Sequence, residues 1–149
     1  MKVKLKLGEG ARVPTYGTPG SACFDIYAVE VKEVFSNVHE YNTGLYFEIP
    51  EDFALLVYSR SGQGFKYQTR LSNCVGIIDS DYRGELKVQL LSDVLLLDRE
   101  EDYARFDPND LTKAIAQGMI VPVEKISFEL EEDLSETTRG SAGFGSTNK

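Results

Sequence analysis

Short apolar runs, several alternating with polar residues, recur along the chain at 3–7, 23–29, 45–49, 53–58, 86–91, 119–123 and 126–130. Each is too short for a core helix, and the alternating ones put one side chain in two on a single face, the period of a half-buried strand. Turn formers separate them, among them Thr18-Pro19-Gly20-Ser21, Ile49-Pro50-Glu51-Asp52 and Tyr82-Arg83-Gly84-Glu85. This spacing predicts a mostly β domain of antiparallel strands. The pattern breaks over 93–116, where Asp98, Glu100, Glu101 and Asp102 precede Asp107-Pro108-Asn109-Asp110 and Asp110 can cap a short helix. That stretch reads as a helical or loop insert on the β scaffold. After Thr138 the composition turns to Gly and Ser, which divides the chain into a domain of 1–138 and an arm of 139–149.

Composition narrows the class. With 149 residues, 42% hydrophobic and 27% charged, the chain can bury one core and has no room for a second domain. It has no uncharged apolar run of about 18 residues, and its start alternates Lys with Val and Leu instead of building a secretory segment, so a cytosolic protein with no membrane contact is expected. Cys23 and Cys74 then read as buried thiols in a reducing compartment. A single histidine, His39, leaves no nitrogen and sulfur set for zinc, so any metal must be held by oxygen. The net charge of −8 argues against a long nucleic-acid backbone, which is bound through many Lys and Arg contacts. A small phosphate ligand can still be held by a local cluster. The acidic insert at 93–110 reads as a solvated loop or as a surface for a protein partner.

Four constellations could carry chemistry. In Tyr58-Ser59-Arg60-Ser61-Gly62-Gln63-Gly64, an Arg, a hydroxyl and two glycines follow an apolar run, a set that can face phosphate oxygens or form a plain turn. In Asn73-Cys74-Val75-Gly76-Ile77-Ile78-Asp79-Ser80-Asp81-Tyr82, an apolar run delivers a carboxylate able to deprotonate water and a ring able to pack on a sugar. The same residues also suit an acidic β-turn. Asp25, the one charge within Ala22-Cys23-Phe24-Asp25-Ile26, could hold a metal-bound water or bond the backbone. The tail Arg139-Gly140-Ser141-Ala142-Gly143-Phe144-Gly145-Ser146-Thr147 embeds one ring among glycines, the make-up of an arm that stacks on a base, or of a frayed terminus.

In this order the constellations resemble the five short motifs of the trimeric deoxyuridine triphosphatase (dUTPase) family, which spread along almost the entire chain. The first is matched by Ala22 to Ile26 and the second by Ser59-Arg60-Ser61-Gly62. Gly76-Ile77-Ile78-Asp79-Ser80-Asp81-Tyr82-Arg83-Gly84 is similar to the third, Ile115-Ala116-Gln117 to the fourth and the tail to the fifth. Departures are Ser59 for a Pro, Thr112-Lys113-Ala114 for Gly-acid-Arg, and Ala142 and Asn148 for glycines. The resemblance implies a single-domain distorted jelly roll, or β-clip, assembled as a homotrimer whose active sites draw on more than one subunit. It implies a dUTP diphosphatase that uses Mg²⁺ to convert dUTP into dUMP and pyrophosphate, limiting uracil in DNA and supplying dUMP for thymidylate synthesis.

By that resemblance Asp79 is the general base toward the attacking water, and Asp25 holds Mg²⁺ through a water. Tyr82 lies under the deoxyribose. Asn73, the backbone of Ile77 and Ile78, and the strand near Lys87 read uracil. Arg60, Ser61, Gly62 and Gln117 contact phosphate oxygens, while Arg139, Gly145, Ser146 and Thr147 close over them and Phe144 covers the base. Two rivals share the scaffold: a dCTP deaminase, which needs a further catalytic Glu and a different third motif, and a non-catalytic nucleotide-binding module.

Overall fold

The computed structural model describes residues 1–92 and 107–144. Eleven strands and one helix are formed among these residues, and all strand pairing is antiparallel. In chain order they are β1 (Lys4–Leu7), β2 (Thr15–Tyr16), β3 (Phe24–Ile26), β4 (Glu30–Phe35), β5 (Val38–Asn42), β6 (Leu45–Glu48), β7 (Phe53–Tyr58), α1 (Ser61–Tyr67), β8 (Thr69–Leu71), β9 (Val75–Ile78), β10 (Lys87–Ser92) and β11 (Ala116–Pro122). They make a pair β1-β6, a four-stranded sheet β4-β5-β10-β8 and a five-stranded sheet β2-β3-β11-β7-β9. The expected mostly β architecture is thus the one observed.

The core lies between the sheets and follows from alternation. On β10, Val88 and Leu90 are buried while Lys87 and Gln89 face out. Leu55 and Val57 of β7, Ile26 of β3 and Ala116 of β11 bury the facing side, with Tyr41, Leu45, Leu71 and Leu86 closing it. A fully buried leucine such as Leu55 is worth roughly 2–5 kcal/mol against alanine. β7 is the spine of the five-stranded sheet, paired with β11 from Phe53↔Pro122 to Tyr58↔Gln117 and with β9 from Leu55↔Ile78 to Tyr58↔Val75.

Several expectations need correction. The run 126–130 forms no strand: Ile126, Phe128 and Leu130 are 72%, 88% and 97% exposed, and no strand among the described residues pairs with it. Asp110 caps no helix. Its carboxylate accepts the Thr112 N–H and the Thr112 hydroxyl within a turn that leads into β11. The insert between 93 and 106 lies outside the described residues, and the partner surface expected there with it. The helix that does form, α1, follows Arg60 and ends at Gln68 in the left-handed region (φ 51°). Cys74 is exposed, in the turn before β9 at φ 64°, and Cys23 is half-buried.

Candidate active site

The expected site residues fall into two groups on the chain, with the tail apart from both. The first group gathers where β3, β11 and the end of β7 meet. Gln117 of β11 stands opposite Asp25 on one side and Tyr58 on the other. Arg60 turns back across this register: its Nε lies 3.1 Å from Asp25 Oδ1, its Nη2 donates to Asp25 Oδ2 at 3.5 Å and its Nη1 donates to the Ala114 carbonyl at 3.2 Å. Gln117 Nε2 donates to the Ser59 carbonyl at 2.9 Å, fixing the turn from beneath. Ser59 itself accepts the Leu71 N–H on its Oγ at 2.8 Å, a bond that a proline at this position could not accept and that ties β8 to the turn. Ser61 and Gly62 are exposed beyond it at the start of α1, while the Gln63 and Gly64 N–H groups donate to the Arg60 carbonyl.

A pocket of about 250 Å³ opens beside this group, between α1 and residues 107–115. Arg60, Gly62, Lys66 and Lys113 line it. Lys113 holds Asp110 at 2.8 Å, and this bond is the largest cause that brings the Asp110 carboxyl down to about 2, ahead of the Thr112 hydroxyl. Burial and the nearby Asp107 push the Tyr41 phenol far up, so it stays protonated and donates to the Pro108 carbonyl at 3.1 Å.

The second group surrounds a groove of about 310 Å³ beside β9 and β10, lined by Asn73, Ile77, Ile78 and Lys87. A tight backbone turn leads into β9 at its side: Cys74 turns the chain at positive φ and the Val75 N–H returns to the Asn73 carbonyl at 2.7 Å. Glu40 also lines it, a residue that the motifs did not single out. Lys32 at 2.9 Å, Gln89 Nε2 at 3.2 Å and Lys87 at 3.6 Å surround its carboxylate, and the Lys32 bond above all lowers its pKa. Asp79 is the first residue past β9, exposed, and with Ser80 and Asp81 it edges a wider cleft of about 670 Å³. Its carbonyl accepts the Tyr82 N–H at 3.2 Å, which closes a turn; the Tyr82 ring lies against Gly84.

The two groups do not meet within one chain. Ile78 stands opposite Leu55, so Asp79 lies at the level of Ala54, while Asp25 lies at the level of Tyr58 through Gln117. β3 and β9 are three strand spacings apart in the sheet order. At about 4.8 Å per spacing and about 3.3 Å per residue, Asp79 and the Asp25–Arg60 pair are separated by about 14 Å across the sheet and about 13 Å along it. In the described part of the tail, the bonds of Arg139 and Gly140 are local: Arg139 Nε donates to the Ala142 carbonyl at 2.8 Å, the Gly140 N–H to Thr137, and Phe144 is fully exposed. Gly145, Ser146 and Thr147 lie outside the described residues.

Among the described residues no three His, Cys, Asp or Glu side chains cluster as metal ligands, and no helix is long and apolar enough to cross a membrane. Asp25, with one edge on Arg60, suits a cation that keeps its waters and takes most of its ligands from elsewhere, which is the habit of Mg²⁺.

The family model described as dUTPase matches residues 9–94. A deoxyuridine 5'-triphosphate nucleotidohydrolase of Nautilia profundicola is 37% identical over the full length of both chains, and that of Orientia tsutsugamushi is 38% identical over 99% of this chain and 98% of its own. Among solved structures, a Staphylococcus bacteriophage 80alpha dUTPase with dUpNHpp superposes with a TM-score of 0.79 at 24% identity, covering 98% of each chain, a likeness of fold.

Proposed function

The chain belongs to the dUTPase family, and from that premise we propose how its residues hydrolyse dUTP to dUMP and pyrophosphate. Asp79 takes a proton from a water whose oxygen attacks the α-phosphorus in line. The bond from that phosphorus to the oxygen bridging to the β-phosphate breaks, and pyrophosphate leaves with the electron pair. Most of the barrier is met by positioning and by cationic groups on the phosphate oxygens. Arg60, the first N–H groups of α1 at Ser61 and Gly62, and Gln117 supply those contacts. Mg²⁺, held mainly by the triphosphate and through a water by Asp25, would add charge neutralisation.

The groove beside β9 and β10 accepts uracil, with the Asn73 amide and the backbone of Ile77 and Ile78 and of the strand near Lys87 supplying the pairing edge. Cytosine, with a donor and an acceptor reversed, would leave these groups unpaired. Tyr82 forms the floor of the sugar site and leaves no space for a 2′-hydroxyl. The arm from Arg139 through Phe144, Gly145, Ser146 and Thr147 closes over the phosphates and the base and excludes bulk water.

The observation that carries this reading is the separation of Asp79 from the Asp25–Arg60 pair on one sheet. A single triphosphate cannot be addressed by both from the same chain, so each site takes Asp79 from one copy and Arg60 from another, in a homotrimer. The apolar side chains of Ile126, Phe128, Leu130 and Leu134, 72–97% exposed in one chain, support burial against a neighbouring copy. A cytosolic setting suits the free thiols of Cys23 and Cys74. Pyrophosphate release measured over dUTP, dTTP, dCTP and UTP tests the reading: turnover confined to dUTP and lost in Asp79→Asn is expected, whereas equal rates on dUTP and dCTP would overturn it.

A further inference from the structure

The segment from Asp79 to Glu85 carries both the general base and the sugar floor, yet Asp79, Asp81, Tyr82 and Arg83 are all exposed. Internally the loop is braced. The Tyr82 N–H donates to the Asp79 carbonyl at 3.2 Å, and Arg83 Nη1 donates to the carbonyls of Ser80 at 2.6 Å and Tyr82 at 3.0 Å. The Tyr82 ring lies against Gly84 so closely that any β-carbon there would overlap it, and its hydroxyl donates to the Glu85 carbonyl at 3.1 Å. These bonds make the loop one body. They are internal to the loop; beyond them, the Glu48 carboxyl is lowered chiefly by the bond from Lys4 and further by the charge of Arg83.

A side-chain tie to the domain comes from Glu85. Its Oε1 accepts the Gly44 N–H at 2.8 Å, in a half-buried position next to the turn between β5 and β6. That turn is itself rigid: Thr43 is fully buried and donates its hydroxyl to the Leu86 carbonyl at 2.6 Å, and the Leu45 carbonyl accepts the Leu86 N–H at 2.8 Å. Gly44 adopts φ 66°, its carbonyl accepts the Gly8 N–H at 2.7 Å, and a β-carbon on it would come within 2.8 Å of Ala11 Cβ. The loop therefore hangs by a charge-assisted bond from a turn wedged between the N-terminal segment and the core.

We propose that Glu85 is a positioning residue that sets the preference for dUTP over UTP, by holding the Tyr82 ring at a fixed height under the sugar. This rests on the reading of Tyr82 as the floor that excludes a 2′-hydroxyl. Exclusion by contact works only if the wall does not yield, since a shift of an ångström makes space for an oxygen. Truncating Glu85 removes this tie, leaves the loop held by its two chain ends at Ile78 and Leu86, and leaves the Gly44 N–H without its acceptor. The wall then gives way under a ribonucleotide; Asp79 rides on the same body, so turnover on dUTP falls as well, and the readout is the ratio between the two sugars.

The test compares kcat/KM on dUTP and UTP for four variants, with oligomeric state and thermal melting followed in parallel. Glu85→Ala is expected to lower the dUTP-to-UTP ratio by about tenfold or more, through a gain on UTP relative to dUTP. Glu85→Gln keeps an acceptor oxygen in place and should retain most of the preference. Glu85→Asp, too short to reach Gly44, should behave as alanine and decides the matter if the alanine variant does not fold. Tyr82→Ala separates the two levels. If it leaves the ratio unchanged, the sugar-floor reading fails; if it relaxes the ratio while Glu85→Ala and Glu85→Asp lower both substrates equally, Glu85 is structural only and the present proposal fails.

Discussion

The Arg60 guanidinium is turned onto the Asp25 carboxylate, Nε to Oδ1 at 3.1 Å, while its Nη1 holds the Ala114 carbonyl. Two of its donor edges are thus spent on aiming it, and the planar fork makes this possible. A lysine carries the same charge on a single point and lacks the planar fork that matches the carboxylate edge. Arg60→Lys is expected to fold and to assemble, with kcat/KM on dUTP lowered roughly tenfold to a hundredfold. Steady-state kinetics checks this, and full activity in Arg60→Lys would remove the guanidinium geometry from the account.

Asp110 gives a pH signature away from the chemistry. Its carboxyl falls from an unfolded value near 3.8 to about 2, chiefly through Lys113 and then through Thr112. A lowered folded pKa means a contribution that is complete above the unfolded value and is lost as pH falls through the folded one. Asp110→Asn should therefore flatten the fall of stability between about pH 4 and about pH 2. Denaturant midpoints across that window, against the parent protein, measure it.

The arm can be removed without touching the core, since residues 124–142 are exposed and the described bonds of Arg139 and Gly140 are local. Truncation after Thr138 should leave the melting temperature and the oligomer unchanged while lowering turnover by about a hundredfold. Loss of assembly on truncation would instead make the arm structural.

Much of the fold was legible because it rests on local contrast. β7 coincides with the apolar run at 53–58, bounded by the Pro50 turn whose carbonyl accepts the Phe53 N–H. The β4–β5 hairpin was not legible, since Glu30, Lys32, Glu33, His39 and Glu40 leave too little apolar contrast and Tyr41 alone is fully buried. Nor was α1, in which Gly62 and Gly64 oppose helix formation and buried Gln63, not an apolar stripe, faces inward. The run at 126–130 misled for the opposite reason: alternation reveals a face and says nothing of what covers it.

At the site, the motifs pointed to the family and, through it, to sites shared between subunits, while the placement of each residue in the sheet was hidden. The pairing of Gln117 with Asp25, and of Ile78 with Leu55, is set by long-range register. So is the bond from Glu85 to Gly44, where the sequence shows only two ordinary turns.

The central claim is that Asp79 and Arg60 act on one dUTP from different copies of the chain. Asp79→Asn and Arg60→Ala homo-oligomers should each be nearly inactive, the first by about two to four orders of magnitude. Unfolding the two together and refolding them as mixed oligomers places an intact Asp79 of one chain beside an intact Arg60 of another. Recovery of a substantial fraction of parental dUTP turnover in the mixture is the expected result. Mixed oligomers as inactive as the separate variants would contradict the claim, because a site contained within one chain would then carry a defect in every copy.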